Sequence, residues 1–417
     1  MIRIGIIGMG GFAASHQNTA IKLESEGVCK LVCSCDKDLD NFAGSMKDWD
    51  YKGRNISVFD DYIDMLNACK KELDMVIIPT PIHLHAQMHK ASVERGIPVY
   101  LEKPPTLDYS ELEDMLLVEQ KAKKSTNVGF NYIIETTRQN IKRRLLKGEF
   151  GALRRIELFG NWPRPDKYFA RNNWAGKLML GDSLVLDSIM GNAMAHYVHN
   201  VLCWAGKDEV LSWAQIDSIS AELYRANKIQ GSDTVFVEAS TDTDVNIRMA
   251  LTHSCNGEQS QYERLYCDNA VIDYLVNDRH TITLSNGTVE TGETDLRNLL
   301  VENVRHFCRY IECNEKRPVN RLEDCMPIVH LNDMAYIASG RITTVPDQYV
   351  TCEKLDGDAG TTYGIHNIAQ VCNIFLSTGM FPSQQGLPWS IPGGKASHSD
   401  LPKLREVING IISAVHI

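Results

Sequence analysis

No stretch of the sequence approaches the roughly twenty consecutive apolar residues that a membrane-spanning helix needs, so no membrane partner is expected. Positive charge is also scarce: 43 Lys and Arg stand against 53 Asp and Glu, a formal net charge of −10, with no cationic run beyond 142–144. That balance speaks against nucleic acid or an anionic membrane surface as a partner. The opening MIRIGIIGMGG enters a strand at once and lacks the apolar core and small-residue cleavage site of a signal peptide. The twelve cysteines are scattered, with one C-x-C (Cys33, Cys35) and no C-x-x-C. They read as reduced core residues of a cytoplasmic protein; a zinc site is a minor alternative, and no metal is expected. Internal repeats and low-complexity tracts are absent as well.

What is present is an ordinary globular composition, 43% hydrophobic and 23% charged, in a chain of 417 residues. That exceeds the size at which one core keeps growing, so two domains are expected. Up to about residue 130, the runs IRIGIIG, KLVCSCD, DMVIIPT, PVYLEK and TNVGFN are apolar on both parities and alternate with helical patterns. This predicts an α/β fold, a doubly wound parallel sheet of Rossmann type over 1–130. Beyond it the grammar changes to consecutive strands: EVLSWAQID, TVFVEASTD, VNIRMALTH, YERLYCD, AVIDYL and HTITLS. Residues 131–417 therefore read as an α+β domain with a large open mixed or antiparallel sheet. Helical text from Leu296 through the AYIAS segment is expected to cover one face of that sheet, leaving the other to solvent or a partner subunit. Hence a homo-oligomer, dimer or tetramer, is expected through the open sheet.

The first chemical constellation is GIIGMGGFAASH. Gly8, Gly10 and Ala13 stand in G-x-G-x-x-A register after a strand and at a helix start, with Gly11 and Phe12 between them. Glycine there lets the backbone turn tightly against a pyrophosphate, which the helix N-terminus then attracts. The second strand ends at Asp36, which can accept both adenosine ribose hydroxyls and would repel a 2′-phosphate. NAD is therefore favoured; Lys37 beside it keeps NADP open. Ligands of open α/β sheets bind beyond the carboxyl ends of the strands. Two such ends are unusual: Thr80, Pro81 and His85 after one strand, and Glu102, Lys103 and Pro104 after the next. A lysine in a crevice is partly desolvated, which makes it a usable proton carrier. Taken singly, Lys103 also reads as a solvated surface lysine and His85 as a capping or core histidine.

In order and spacing, the glycine motif with His16, Asp36, PTP with His85, EKP (Glu102–Pro104) and VGFNY resemble the Gfo/Idh/MocA family of glucose-fructose oxidoreductase-like and inositol dehydrogenase-like proteins. The resemblance implies a nicotinamide cofactor and a sugar, polyol or related substrate. It also implies a second-domain motif, D-x-x-x-H-x-x-D, whose His and first Asp work with the EKP lysine. Counting back from Gly206 in LDSIMGNAMAHYVHNVL and its continuation, His196 falls on the family His, His199 on the second Asp and Asn192 on the first. Asp187 fits the first Asp only with an insertion, and α-helical spacing puts 192, 196 and 199 on one face, so Asp187 reads as a loop or capping residue. Asn192 can orient a hydroxyl but not take its proton, which leaves proton transfer to Lys103 and His196. For either histidine a satisfied core position is the competing reading, and the two together could form half of a metal site.

Upstream, WPRPDKYFARNNWAG mixes aromatic, cationic and amide groups as sugar sites do. Tyr168, Arg171, Asn172, Asn173 and Trp174 are accordingly the candidate substrate contacts, together with Lys103, Asn192, His196 and His199. GTTYGIHN near 360 adds a further wall. The expectation is an NAD(P)-dependent oxidoreductase acting on CH–OH of a carbohydrate-like substrate. Two alternatives stay open: an NAD-dependent glycosidase or lyase with transient redox, and a catalytically silent nucleotide- or sugar-binding protein.

Overall fold

The computed structural model describes residues 1–414. By contacts the chain divides into two compact units, the first made of Met1–Thr106, Ser110–Glu135 and Arg297–Cys325, the second of Leu107–Tyr109, Thr136–Leu296 and the chain from Met326 onward.

The first unit is built on β1 (Ile2–Ile7), β2 (Cys29–Cys35), β3 (Ser57–Phe59), β4 (Met75–Ile78), β5 (Val99–Leu101) and β6 (Asn127–Val128). All pairings are parallel and the order is β3-β2-β1-β4-β5-β6, the doubly wound dinucleotide-binding arrangement. Every residue of β4 and β5 is buried, because helices cover both faces, and this is why these strands read as unbroken apolar runs. The sequence reading misses β3, whose short edge strand has two exposed residues and no apolar signature. Helix α1 (Ala13–Ser25) follows β1 directly.

One expectation is corrected here. Helix Leu299–Ile311, assigned from sequence to the second-domain sheet, packs on the first unit: Val301, Val304 and Phe307 share a core with Ile2, Ile4, Leu31 and Tyr100. Its apolar stripe announces that some surface is covered but not which one.

The second unit holds a ten-stranded mixed sheet. Its strands are β7 (Leu153–Asn161), then, after a small β8–β9 hairpin (Met179–Leu180, Ser183–Leu184), β10 (Ile216–Arg225), β11 (Thr234–Thr241), β12 (Asn246–Thr252), β13 (Ser260–Cys267), β14 (Ala270–Tyr274), β15 (Arg279–Leu284) and β16 (Val289–Glu293). The order is β16-β15-β14-β13-β7-β12-β11-β10, closed at its far edge by β17 (Thr343–Thr344). β7 is central, parallel to β12 and antiparallel to β13. A separate hairpin, β18 (Val350–Lys354) with β19 (Thr361–Ile365), follows, and β20 (Lys395–Ser397) pairs with β10. Against expectation EVLSWAQID is mostly irregular; the strand starts only at Ile216.

Adjacent residues of β7 face opposite sides of the sheet, and each side is covered. Gly160 lies against Met194 just before helix Ala195–Ala205, and a Cβ at Gly160 would overlap the Met194 sulfur. Phe159 faces the other way, into a cluster with Phe236, Ala250, Phe375 and Leu376. The sheet face expected to be open is thus covered along these strands by helix Ile368–Thr378, which the sequence reading did not find.

Candidate functional site

In the first unit the glycine loop has the backbone that its residues permit. Gly8 has φ +114° and Gly11 φ +58°, conformations costly for other residues. A Cβ on Gly10 would come within 3.1 Å of Phe42, whereas nothing lies within 4 Å of one on Gly11. Helix α1 begins at Ala13 with Phe12 as its N-cap and no side-chain cap; its first N–H groups, of Ala13, Ala14 and Ser15, donate to the carbonyls of Gly10 (3.1 Å), Gly11 (3.3 Å) and Phe12 (3.0 Å), so what the helix start offers an anion is its positive dipole end. Asp36 is held ready at the end of β2: Oδ2 accepts from Met9 N–H at 2.8 Å and Oδ1 from Asp38 N–H at 3.1 Å. Lys37 points to solvent, its side chain 87% exposed, 3.8 Å from Asp38. These residues fit a dinucleotide with a free ribose 2′-hydroxyl.

The two strand-end turns are clamped together. His85 is buried and its ring spans from Thr80 O (2.8 Å from Nε2) to Pro104 O (3.0 Å from Nδ1). Burial pushes its pKa down, with the carbonyls partly opposing. Thr80 itself is half-buried, its Oγ1 on the Met88 sulfur at 3.4 Å, and Pro81 is exposed. Glu102 is buried beneath, 2.8 Å from His16 Nε2 and accepting from Lys103 N–H at 3.1 Å. Gly129 passes so close that a Cβ would fall 2.8 Å from Glu102 Oε1. Lys103 is half-buried, and the Lys103–Pro104 peptide is cis.

In the second unit the segment around Asn192 differs from its α-helical reading. Ile189–Ala193 forms a π-helix, and the α-helix begins only at Ala195. The cap of the π-turn is Ser188, whose Oγ accepts from Gly191 N–H at 2.9 Å. Asp187 is therefore not the cap. It is buried, with Oδ1 accepting from Asn192 Nδ2 at 2.7 Å and Oδ2 accepting from Gly176 N–H at 2.6 Å. The wider π-turn brings together two residues that uniform α-helical spacing would separate. Asn192 precedes the helix that carries His196 and His199, so the argument for a single α-helical face does not hold for it. His196 is half-buried. His199 is fully buried and stacks on Trp213 at 4.9 Å, the setting of a core histidine.

A buried polar frame fixes this helix. Glu263 accepts from Arg138 (2.6 Å), Trp204 Nε1 (2.6 Å) and Asn200 Nδ2 (2.8 Å), while the Arg138 guanidinium lies 4.8 Å over the Trp204 ring. Lys142, buried and pushed down to about 8 by desolvation, places its Nζ on the carbonyls of Cys203, Trp204 and Gly206 at the helix C-terminus.

The aromatic stretch after β7 is joined to the same place through Asp187 and Gly176. Trp162 meets Tyr197 edge-on at 5.7 Å. Asn172 shapes the loop, its Oδ1 accepting from Trp174 N–H (3.1 Å) and Ala175 N–H (2.7 Å); Asn173 is exposed and Trp174 half-buried. The Arg171 guanidinium sits 3.8 Å from the Tyr168 ring centroid. GTTYGIHN does adjoin this loop, through Thr361 N–H donating to Asp166 at 3.0 Å. The sequence reading overlooked Arg164, also over Tyr168 at 5.2 Å, and His253, whose Nδ1 lies 2.7 Å from Trp162 O. Arg164 sits in the very segment singled out; His253 lies at the end of β12 and carries no local signal. Among the described residues no group of three or more His, Cys, Asp or Glu could hold a metal ion.

Residues 2–130 match the oxidoreductase family with an NAD-binding Rossmann fold. Among curated relatives, the inositol 2-dehydrogenase of Salmonella typhimurium is 26% identical over 156 residues, covering 36% of this chain and 43% of its own length. A glycosyl hydrolase family 109 protein of Shewanella baltica is 27% identical over 164 residues, covering 36% of this chain and 34% of its own. The chain spans less than half the length of the first curated relatives it matches. In solved structures the same fold recurs: the WlbA dehydrogenase of Chromobacterium violaceum, in complex with NADH and UDP-GlcNAcA, has a TM-score of 0.63 at 20% identity, covering 81% of this chain and 93% of that one. Over residues 2–130 the chain is thus similar to the NAD-binding Rossmann domain of the Gfo/Idh/MocA oxidoreductases.

Proposed function

We propose that this protein is an NAD-dependent dehydrogenase of a sugar, polyol or sugar-derived alcohol, with the nucleotide on the first unit and the substrate on the second. The observation that carries the reading is Asp36, its carboxylate held by Met9 N–H beside the glycine loop of a domain that matches NAD-binding oxidoreductases. The inositol 2-dehydrogenase match supports the substrate class.

Gly8, Gly10, Gly11, Phe12 and Ala13 shape the pyrophosphate turn, and Thr80, Pro81, His85 and Glu102 form or brace the strand-end wall. Asp36 selects NAD over NADP by accepting the ribose hydroxyls and repelling a 2′-phosphate, while Lys37 is turned to solvent. A nicotinamide, when bound, supplies the hydride acceptor for the carbinol carbon. Proton transfer is assigned to Lys103 and His196, which take the hydroxyl proton in oxidation and return it in reduction. Asn192 orients that hydroxyl. Its amide nitrogen donates to Asp187, which fixes the direction of the side chain. Tyr168, Arg171, Asn172, Asn173 and Trp174 line the substrate side, and His199 supports the helix from the core.

The test is a mass spectrum of the nucleotide that copurifies, followed by a panel of sugars, polyols and glycosides with NAD⁺ and NADP⁺, read by NADH fluorescence. Reduction of NAD⁺ by one carbohydrate class is expected. Glycoside cleavage without net NADH would reassign the chain to transient redox chemistry, and binding without turnover across the panel would make it a sensor.

A cytoplasmic location and a homo-oligomer complete the proposal. Among the described residues no helix is long and apolar enough to cross a membrane. The covering helix Ile368–Thr378 confines any sheet-mediated contact to the remaining strands, and a monomeric mass in solution would remove the oligomer.

A further inference from the structure

The segment from Trp162 to Lys177 gathers Arg164, Lys167, Arg171 and Lys177 against a single acid, Asp166, in a chain whose net charge is −10. That one acid is already engaged: its Oδ1 accepts from Lys167 N–H (2.7 Å) and Thr361 N–H (3.0 Å). Lys167 pairs with Asp358. The two arginines converge on one ring. Their guanidinium carbons lie 5.2 Å (Arg164) and 3.8 Å (Arg171) from the Tyr168 centroid, with Trp162 at 5.3 Å from Arg164 and Trp174 at 5.4 Å from Arg171.

Their acceptors are neutral. Arg164 donates to Pro163 O at 3.1 Å and reaches the Tyr168 side chain, and Arg171 donates to Tyr168 O at 2.5 Å. Neither has a carboxylate partner among the described residues, and the Arg164 Nε–H is shut off from water without an acceptor. A buried donor on a charged group that finds no acceptor is costly, and the planar fork of a guanidinium matches a carboxylate or phosphate with two parallel hydrogen bonds. His253 beneath supplies no counter-charge. Burial, aided by both arginines, holds it neutral, with its pKa pushed down to about 3.

We propose that the substrate carries an anionic group, a carboxylate or phosphate attached to the sugar, and that Arg164 and Arg171 hold it together over Tyr168. This rests on the reading of the second unit as the substrate side. It narrows that reading from sugars, polyols and their derivatives at large to acidic sugars. The loop reaches the reacting end through Gly176 N–H on Asp187, which in turn holds Asn192, so an anion gripped at one end fixes where the hydroxyl lies at the other.

The experiment uses the full chain with NAD⁺ and measures both binding by calorimetry and NADH formation. The probes are glucose and myo-inositol (neutral), glucuronate (carboxylate), glucose 6-phosphate (phosphate monoester) and UDP-N-acetylglucosamine (diphosphate). At least one anionic probe is expected to bind tenfold or more tighter than the neutral pair, with an affinity that falls as salt rises. The anionic-to-neutral preference should drop at least tenfold in Arg171→Gln and in Arg164→Gln, and partly return in Arg171→Lys. Arg171 is exposed, so its variants test the idea without risk to folding. Equal affinity for neutral and anionic probes, or a preference that survives both Gln variants, overturns the proposal. Arginine-dependent anion binding with no NADH from any probe upholds the anion site and removes the dehydrogenase reading; NADH from neutral polyols without arginine dependence does the reverse.

Discussion

The nucleotide-binding domain and the proposed substrate side of this molecule are built on different principles. The first is local: a glycine loop, a helix start and the acid at the next strand end, all within residues 8–36. The second is assembled from distance. Asp187 reaches back eleven positions to Gly176 and forward five to Asn192, and the helix behind them rests on Glu263. A local site can be read from spacing; an assembled one depends on which backbone path lies between its parts. Here a π-turn, not an α-helix, is that path.

The largest expected effect tests whether the two sides cooperate chemically. Lys103→Met and His196→Gln should each lower kcat by about 10²- to 10⁴-fold, the usual worth of a general acid or base, with the NAD⁺ dissociation constant nearly unchanged in a titration. Near-normal rates in both would separate the two sides and sink the mechanism. Next comes the frame under the site helix. Glu263→Ala removes the buried carboxylate that accepts from Arg138, Trp204 and Asn200 and should cost about 3–5 kcal/mol of unfolding free energy in a denaturant titration. A loss under 1 kcal/mol would show that water replaces the carboxylate.

The Asp187–Asn192 pair gives a smaller and more discriminating effect. Asn192→Asp, which supplies the acid that the family resemblance implies at this position, puts two carboxylates within hydrogen-bond distance, and one of them must then hold a proton. The variant should be less active than the parent at neutral pH, with a pH–rate profile displaced relative to the parent's. Greater activity at neutral pH would mean that Asp187 does not hold Asn192 in place. On the nucleotide side, Asp36→Ala should erode the preference for NAD over NADP by roughly tenfold, about the worth of one charge-assisted contact, read as a ratio of kcat/KM values.

A separate effect, confined to acid pH, is on stability. His253 is buried neutral with its pKa pushed down to about 3, far below its unfolded value. The unfolded chain therefore binds a proton that the folded one refuses, and stability from this residue, complete above the unfolded pKa, is lost as pH falls from there toward 3. His253→Gln should flatten that part of the acid-denaturation curve. An unchanged slope would mean that His253 takes up its proton in the folded state.

The legible parts share a cause. The five strands read in the first domain, the glycine turn and Asp36 are written in contiguous text, because parallel strands buried on both faces must be apolar throughout. The same rule explains the missed β3, which is an exposed edge. Helix Leu299–Ile311 was legible as a helix yet placed on the wrong unit, since its stripe of Val301, Val304 and Phe307 fits any apolar surface. In the second unit most strands were legible, but Ile368–Thr378 was not, and neither was the role of Asp187.

By itself, then, the sequence determined the doubly wound first domain, its nucleotide loop and the acid proposed to favour NAD, because each depends on residues close enough in the chain to constrain one another's backbone. Only the tertiary structure decided that Asp187 holds Asn192, that His199 belongs to the core, and that two arginines meet over one tyrosine with no carboxylate partner of their own among the described residues. Those outcomes turn on side-chain directions set by a π-turn, by a glycine that lets Met194 approach β7, and by a loop pinned at Gly176. A pattern of residue types carries no information about direction until the backbone between them has been fixed.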